Sequence, residues 1–255
     1  MSAYEEIFLT KLGSFIDLSE DDRVLMREFV SQKLAVGEGQ HLLSEGEENQ
    51  TVFFLQDGWA IRYKLLPDGR RQVISFLLPG DIFGFKESLF DLSNDSVQAL
   101  TDVVVHPVPA TQIAGLTDGN PNLALALAWA RGREHSILTE HVVRLGRRTA
   151  YERVAHLLME LLHRLQLVDL ASARAYPLPL TQELLADTLG LSIVHVNRTM
   201  RKLRKDGLIS IDTDKRMIRI EDLQGLADAG HYDETFLDQD GEPSADVRDA
   251  LSGDS

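Results

Sequence analysis

The chain of 255 residues contains no cysteine. This absence excludes disulfides, thiolate zinc sites, cysteine-ligated iron–sulfur clusters and catalysis by a cysteine nucleophile. No apolar run approaches the roughly 18–20 residues that a membrane span requires. The opening sequence MSAYEE lacks a basic region followed by an apolar core, so no secretory signal is predicted. We therefore expect a soluble, cytoplasmic protein with no membrane partner.

Charge is distributed unevenly along the chain. The net formal charge is −14, and 44% hydrophobic with 26% charged residues is typical of a globular protein. Residues 131–220 nevertheless carry a net charge of +6, whereas residues 1–130 and 221–255 carry −10 each. A basic segment within an acidic chain indicates a localised site for a polyanion, and chance clustering is the alternative.

The first half of the chain has the pattern of a small β domain. Two short helices are predicted within residues 3–33, with Ser19 as the N-cap of the second. From about residue 37 to residue 109, short runs of β-branched, leucine and aromatic residues are separated by glycines. Asp57-Gly58 and Asp68-Gly69 are hairpin-turn signals. Short strands with such turns predict an antiparallel sandwich or roll rather than a parallel sheet.

A long helix is predicted to begin at Asn120-Pro121, where Asn is the N-cap and Pro the first helical residue. It runs to about Leu145 and carries an apolar stripe at helical spacing. A stripe of this length between two domains predicts a dimerisation seam, and packing against the sheet of its own chain is the alternative. The candidate interface residues are Leu123, Leu127, Ala130, Ile137, His141 and Leu145.

A hinge is predicted directly after this helix. Gly146-Arg147-Arg148 interrupts the apolar pattern. Thr149 and Glu152 then form a capping box, because the hydroxyl and the carboxylate can each satisfy a backbone N–H at a helix start. A new helix is therefore predicted to begin at Thr149.

The spacing of a helix–turn–helix follows. Thr181 caps a first helix, Gly190 allows a tight turn, and Ser192 caps a second helix that ends at Lys205. Two alternating stretches within residues 208–220 then predict a two-stranded wing beside the second helix.

The second of these helices divides by face. Val196, Met200 and Leu203 fall on one side and belong to the core. The other side carries Val194, His195, Asn197, Arg198, Arg201 and Lys202. Arginine can donate two hydrogen bonds to guanine O6 and N7, and valine can contact a thymine methyl group. A solvated helix with basic residues is the alternative to a DNA-reading one. The predicted base contacts are Arg198, Val194, Asn197 and His195, and the predicted phosphate contacts are Thr181, Ser192, Arg201, Lys202 and Lys205.

Over about residues 10–230 the chain resembles the Crp/Fnr family of bacterial transcription regulators. The resemblance rests on the β-roll pattern, the segment PGDIFG at 79–84, the long helix, and LTQELLAD at 180–187 leading into VHVNR at 194–198. It implies an α+β protein with an N-terminal antiparallel β-roll (a jelly roll of the cyclic-nucleotide-binding type), a long dimerisation helix and a C-terminal winged helix–turn–helix. The implied domains are residues 1–118, 119–148 and 149–228, followed by an acidic tail, 229–255, that is predicted to be disordered.

The resemblance also implies a function. It implies a homodimeric, sequence-specific regulator that binds a two-fold symmetric site in double-stranded DNA, and that contacts RNA polymerase if it is an activator. Arg198 matches the guanine-reading arginine of the family. Val194 stands where many members have a base-contacting glutamate, which predicts a changed base preference next to the guanine.

The effector site departs from the family pattern. Members that bind cyclic AMP use a glutamate for the ribose and an Arg-Ser pair for the cyclic phosphate. No arginine lies between Arg71 and Arg131. A buried phosphate needs a cationic or multi-donor partner, so ordinary cyclic AMP is not the predicted effector and the cofactor stays unknown. The candidate pocket residues are Glu87, Ser88, Ser93 and Asn94.

Other modes of control and other functions stay open. Control by protein abundance is one, and haem with axial ligands among His41, His106, His135 and His141 is another. A cupin-type metal enzyme needs two or three histidines and a carboxylate in one cavity, whereas the β region offers only His41 and His106, so we expect no metal site and no catalysis. A nucleotide-binding module whose helix–turn–helix contacts proteins is the last alternative, and salt-sensitive binding to duplex DNA would exclude it.

Overall fold

The computed structural model describes residues 7–85, 92–117 and 119–237. It begins with two helices, α1 (Ile7–Gly13) and α2 (Glu20–Phe29). Ser19 caps α2 as predicted. Its Oγ accepts a hydrogen bond from Asp22 N at 3.1 Å, and the Asp22 carboxylate accepts one from Ser19 N at 3.0 Å. This reciprocal pair is set by local sequence alone.

Short strands follow, and they confirm the predicted β-roll. One sheet has the order β1-β8-β3-β6 and another the order β2-β7-β4-β5. The pairings of β1 with β8, β2 with β7, and β3 with both β6 and β8 are antiparallel, and Phe54 lies opposite His106. Buried side chains that include Phe53, Val97 and Val105 form a core cluster. The strands are β1 (Leu34–Val36), β2 (His41–Leu43), β3 (Thr51–Asp57), β4 (Ala60–Leu65), β5 (Arg71–Leu77), β6 (Ile82–Phe83), β7 (Ser96–Ala99) and β8 (Val103–Pro109).

Two of the turns require glycine. Gly58 has a φ of 81°, and a Cβ there would lie 2.2 Å from Asp102 O. Gly84 has a φ of 92°, and a Cβ there would lie 2.4 Å from Thr51 O. Any other residue at these positions would be strained and would collide with the backbone of a neighbouring segment.

Three helices come after β8, namely α3 (Ala110–Thr117), α4 (Pro121–Arg147) and α5 (Ala150–Gln166). The long helix α4 begins at Pro121 as predicted and continues two residues beyond the predicted end. The capping box of α5 is also confirmed. Thr149 Oγ1 accepts from Glu152 N at 3.4 Å, and the Glu152 carboxylate accepts from Thr149 N at 2.7 Å.

The C-terminal part contains the predicted helix–turn–helix and wing, with one strand more than predicted. This strand, β9, extends the wing to a three-stranded sheet of order β10-β11-β9 and pairs Tyr176 with Ile218. It is only three residues long and ends in proline, so no alternation marks it in the sequence. The elements are β9 (Ala175–Pro177), α6 (Gln182–Leu189), α7 (Ile193–Lys205), β10 (Ile209–Asp212), β11 (Met217–Ile220), α8 (Leu223–Gly230) and a 3₁₀ turn (Glu234–Phe236).

Contacts divide the chain into two compact units. The first holds residues 7–60 and the described parts of 77–135, and the second holds residues 61–76 and 136–237. Within the second unit, the hairpin formed by β4 and β5 contacts α6. Arg71 Nε of this hairpin lies 2.9 Å from Asp187 Oδ2 of α6. Gln72 Nε2 donates to Thr188 O at 3.2 Å. A hairpin with a β-roll sequence pattern therefore makes side-chain contacts to the helix–turn–helix.

A group of charged side chains is buried in the second unit where α4 meets α5. Arg144 pairs with Glu160, and Arg164 Nη1 lies 3.2 Å from Glu160 Oε1. Arg144 Nη2 lies 3.0 Å from His156 Nδ1, and Arg164 Nη2 donates to Phe76 O at 2.8 Å. Burial alone would raise the pKa of Glu160, but Arg144 and Arg164 outweigh it and hold that pKa at about 2. Glu160 is therefore ionised inside the protein.

The two histidines beside Glu160 are neutral. Burial, and then the charge of Arg144, lower the pKa of His141 to about 4 and that of His156 to about 3. A neutral imidazole nitrogen can accept a hydrogen bond from a guanidinium group. We refer to these five residues as the buried ionic cluster: Arg144, Glu160, Arg164, His141 and His156.

Candidate nucleic-acid interface

Local signals set the ends of α6 and α7. Thr181 Oγ1 accepts from Leu184 N at 3.1 Å, and Ser192 Oγ accepts from His195 N at 3.3 Å, so both predicted N-caps are confirmed. Between the helices, Gly190 has a φ of 61° and ends α6 in the left-handed conformation. The predicted turn is therefore also confirmed.

One face of α7 points into the protein and the opposite face points to solvent. Val196, Thr199, Met200 and Leu203 are buried. A helix turns by about 100° per residue, so four exposed side chains point away from this buried face. One of them is apolar, because Val194 is 74% exposed. An apolar side chain among three cations suits a groove lined by bases and phosphates. We call this set the reading face: Val194, Arg198, Arg201 and Lys205.

Lys202 lies on the flank of α7 that faces α5. Its Nζ is 4.4 Å from the centre of the Tyr151 ring, a cation–π contact. The Tyr151 hydroxyl donates to Asp206 Oδ2 at 2.7 Å, and burial together with this aspartate raises the pKa of Tyr151 to about 12. The predicted phosphate contact Lys202 is thus held at the edge of the reading face rather than within it.

Two further predicted base contacts have polar neighbours. Gln182 Nε2 donates to Asn197 Oδ1 at 3.2 Å, so this bond uses the oxygen of the Asn197 amide and leaves its NH₂ group to donate. His195 Nδ1 lies 3.0 Å from Ser192 Oγ on the other flank. Both side chains are therefore oriented by residues at the starts of the two helices.

The structure also brings two arginines to this region that the sequence analysis did not single out. Arg204 of α7 and Arg216 of the wing line a groove together with Asn197. Arg204 follows Asn197 by seven residues, so the two share a flank of the helix, and this spacing was a usable signal. Arg216 had no local signal, because only the fold of the wing brings it beside α7.

Two of the four candidate effector residues, Ser93 and Asn94, lie in the described part of the chain. Glu87 and Ser88 lie outside the described residues. Ser93 is buried and its Oγ donates to Asp95 O at 2.6 Å, while Asn94 is exposed. The Ser93 hydroxyl is thus engaged in the structure of its own loop. A further cation, Arg62 of β4, is buried.

The candidate metal and haem ligands of the β region differ in burial. His41 is exposed, whereas His106 is buried with its Nε2 2.8 Å from Gln56 Oε1. Among the described residues, no three His, Asp or Glu side chains come together as a metal site would require. No helix in the described parts of the chain combines the length and the apolar character that crossing a membrane requires.

The apolar stripe of α4 requires a correction. A side chain that its own chain already buries has little surface left for a second copy, so the buried members of this set are unsuited to the predicted interface. Their burial fits the alternative, packing within the chain. Leu123, Leu127, Ile137 and His141 are buried, and Ala130 and Leu145 are half-buried.

Two family models match the chain. Residues 33–120 match the cyclic nucleotide-binding domain, and residues 152–229 match the Crp-like helix-turn-helix domain. The first match covers the strands of the two four-stranded sheets, and the second covers α6, α7 and the β10–β11 hairpin.

Similar proteins align over most of their length. The nitrogen fixation regulation protein FixK of Bradyrhizobium diazoefficiens is 35% identical over 192 residues, which cover 74% of this chain and 80% of FixK. The transcriptional activatory protein AadR of Rhodopseudomonas palustris is 35% identical over 188 residues, which cover 73% of this chain and 77% of AadR. Among solved structures, FixK2 from Bradyrhizobium japonicum gives a TM-score of 0.69 at 29% identity, over 78% of this chain and 96% of FixK2.

Proposed function

Because this chain belongs to the Crp/Fnr family of transcription regulators, we propose that it acts as a homodimer that reads a two-fold symmetric site in duplex DNA. The observation that carries this proposal is the reading face, where exposed cations lie opposite the buried side of α7. Such cations neutralise phosphates and release counterions, which supplies the affinity. A DNA partner also places the protein in the cytoplasm.

Arg198 is the residue that we assign to guanine. It lies one turn into α7, where a recognition helix reaches base edges, and its guanidinium can donate to O6 and N7 together. Val194 lies one turn earlier on the same face and suits a thymine methyl group. The NH₂ group of Asn197 is oriented by Gln182 and suits a base acceptor, and His195 lies on the opposite flank.

The remaining polar residues suit the DNA backbone. Arg201 and Lys205 lie on the reading face, and Lys202 lies beside it over the Tyr151 ring. These contacts position the helix on the duplex without reading sequence. The hydroxyl groups of Thr181 and Ser192 stand at helix N-termini, where phosphate oxygens are favoured.

We assign the dimer seam to a face of α4 that differs from the apolar stripe. Seven residues recur there at alternating intervals of three and four, the spacing of a heptad seam. Six of them are exposed and the first is half-buried, so a single chain leaves this face uncovered. The seam residues are Leu125, Ala128, Gly132, His135, Thr139, Val142 and Gly146.

A charge on the seam tests the dimer. Val142→Glu is expected to give monomers that bind a full DNA site poorly, because two like charges would meet across the two-fold axis. Val143→Glu is the matched control, since Val143 is also exposed but lies outside the seam. Light scattering measures the mass of the protein in solution. An unchanged dimer mass for Val142→Glu would contradict the assignment of the dimer interface to this face of α4.

We propose that ordinary cyclic AMP is not the effector of this protein. The match to a cyclic nucleotide-binding domain concerns the family, whereas this chain has no arginine within residues 72–130 for a cyclic phosphate. The Ser93 hydroxyl is already engaged by Asp95 O. Another ligand or protein abundance would then control the regulator. AadR is named a transcriptional activatory protein, and if this chain activates as well, it also contacts RNA polymerase.

Selection of random duplex DNA by the purified protein, with no effector added, tests the proposal. We expect a two-fold symmetric site whose half-sites lie about one helical turn apart and contain a guanine. Affinity should fall steeply as salt rises, because phosphate contacts release counterions. Affinity that does not change with salt would contradict the DNA-binding function.

A further inference from the structure

A groove of about 240 Å³ lies between α7, the wing and the segment before α6. Its floor is apolar. Leu178, Leu185 and Met200 are buried, and the half-buried side chains of Leu180 and Ile211 complete the wall. We call it the wing groove. A polar phosphodiester backbone makes no favourable contact with these apolar side chains. Binding of the DNA backbone therefore does not account for the apolar floor of the groove.

Two guanidinium groups lie at the rim of the wing groove. Arg204 comes from α7 and Arg216 from the wing, and both are exposed. Within the described parts of the chain, neither pairs with a carboxylate, and no Asp or Glu lines the groove. Two cations without counter-charge above an apolar floor are complementary to an anion that carries an apolar body.

We propose that the wing groove binds a small amphipathic anion. Its carboxylate or phosphate head would lie between Arg204 and Arg216, and its apolar body would cover Met200 and Leu185. Pockets for drug-sized ligands hold about 300–1,000 Å³, so the smaller wing groove limits the ligand to about the size of a medium-chain acid.

Occupancy of the wing groove opposes DNA binding, a consequence that rests on the proposed function. Asn197, which we assign to a base edge, lines the groove beside Gln182. A ligand there would compete with DNA for Asn197, and DNA phosphates would compete with the ligand for the two arginines. The ligand is therefore an antagonist of DNA binding.

Methyl NMR of the full chain, labelled with ¹³C at the methionine methyl groups, tests the site with octanoate as the probe. Of the five methionines, Met200 lines the groove, whereas Met26 and Met159 are buried elsewhere and serve as internal references. We expect octanoate to shift the Met200 signal saturably and to leave the references unmoved. Octanol lacks the charged head and acetate lacks the body, so each is expected to bind at least ~10-fold more weakly.

Variants at exposed positions separate the two parts of the site. Arg204→Gln combined with Arg216→Gln is expected to weaken octanoate binding at least ~10-fold. Arg219→Gln, at a wing arginine outside the groove, is the control. Thr213→Glu adds a carboxylate to the lining that would neutralise the arginines, so it should abolish binding, whereas Thr213→Gln should not. Unmoved Met26 and Met159 signals verify that each variant folds.

Three results would overturn the site: no response of Met200, a parallel shift of all three methionines, or acetate as effective as octanoate. DNA competition is a separate measurement. Saturating octanoate should weaken binding to the selected duplex at least ~10-fold for the unchanged chain, and less for the double arginine variant. If Met200 titrates and duplex affinity does not change, the antagonism is overturned and the site stands. If the unchanged chain binds no duplex, the proposed function fails, and the NMR titration still decides the site.

Discussion

Arginine occurs in two opposite settings within the second unit of this protein. Arg144 and Arg164 are buried, and both pair with Glu160 in the buried ionic cluster. Arg198 and Arg201 are exposed on the reading face, and among the described residues neither has a carboxylate partner. The same side chain is neutralised inside the protein and left available at the surface.

The difference follows from the cost of burying charge. An ion inside a protein is tolerated only when a counter-ion and hydrogen bonds replace its water, so Arg144 and Arg164 require Glu160. An exposed arginine keeps its water until a polyanion displaces it. Changes in the buried ionic cluster should therefore alter stability, whereas changes on the reading face should alter DNA binding and leave stability nearly constant.

The largest effect is expected for Glu160→Gln. This change leaves the buried Arg144 without its carboxylate partner and takes the Glu160 carboxylate from Arg164, and breaking a buried ion pair typically lowers the free energy of unfolding by about 3–5 kcal/mol. Denaturant unfolding measures the loss. Glu183→Gln, at an exposed position in the first turn of α6, is the control and should cost at most about 1 kcal/mol. Equal losses in the two variants would contradict the structural role of the cluster.

Acid is expected to destabilise the protein through His141 and His156. Their folded pKa values of about 4 and 3 lie below the ordinary 6.5, so the unfolded chain binds more protons as the pH falls. The free energy of unfolding is therefore highest above about pH 6.5, and it decreases as the pH falls from 6.5 to the folded pKa values of the two histidines. Between pH 7 and pH 5 the loss is about 2 kcal/mol for each histidine.

Unfolding free energies measured across this pH range check the acid prediction. His156→Asn removes one titrating group and keeps an acceptor for Arg144, so the pH profile should become flatter. Gln112→Ala, a change that removes no titrating group at an exposed position on α3, should leave the profile unchanged. A profile that does not respond to His156→Asn would assign the acid sensitivity to other groups.

On the reading face, Arg198→Ala is expected to abolish the preference for guanine at one position of each half-site. Such a contact is worth about 1–3 kcal/mol of discrimination. The free energy of unfolding should stay within about 0.5 kcal/mol, because the side chain is exposed. Arg198→Lys keeps the charge and loses the bidentate geometry, so it should keep non-specific affinity and lose the preference. Binding to guanine-substituted duplexes measures both, and an equal loss on every duplex would refute the base contact.

The smallest effect is expected for Lys202→Ala. Since Lys202 lies at the edge of the reading face, its loss should weaken all duplexes alike and reduce the slope of log affinity against log salt by about 1. Lys33→Ala, at an exposed position in the first unit, should leave the slope unchanged. A changed base preference in Lys202→Ala would move this lysine from the phosphates to the bases.

The features that were predicted correctly depend on residues close together in the chain. The caps at Ser19, Thr181 and Ser192, the capping box at Thr149, and the turn at Gly190 each involve residues within about four positions of one another. A side chain that bonds the backbone three residues away does so whatever the rest of the fold is doing. The division of α7 into a buried and an exposed face was likewise visible in its helical period.

The features that were missed depend on long-range contacts. The stripe on α4 was predicted as a dimer seam, yet Leu123 and Leu127 are buried by their own chain, because periodicity shows that a face is apolar and not what covers it. Strand β9 exists because β11 offers it an edge. Arg204 and Arg216 are twelve positions apart in the sequence, and only the fold places both of them along the wing groove.

The sequence by itself determined the order of the elements, the ends of most helices, the family and the composition of the reading face, since short-range hydrogen bonds and helical period are properties of neighbouring residues. Only the tertiary structure decided which charges are neutralised. Glu160 meets Arg144 across sixteen positions, and Arg71 meets Asp187 across 116. Whether an arginine stabilises the fold or stays available for DNA depends on the carboxylate that folding brings to it, and no local pattern contains that information.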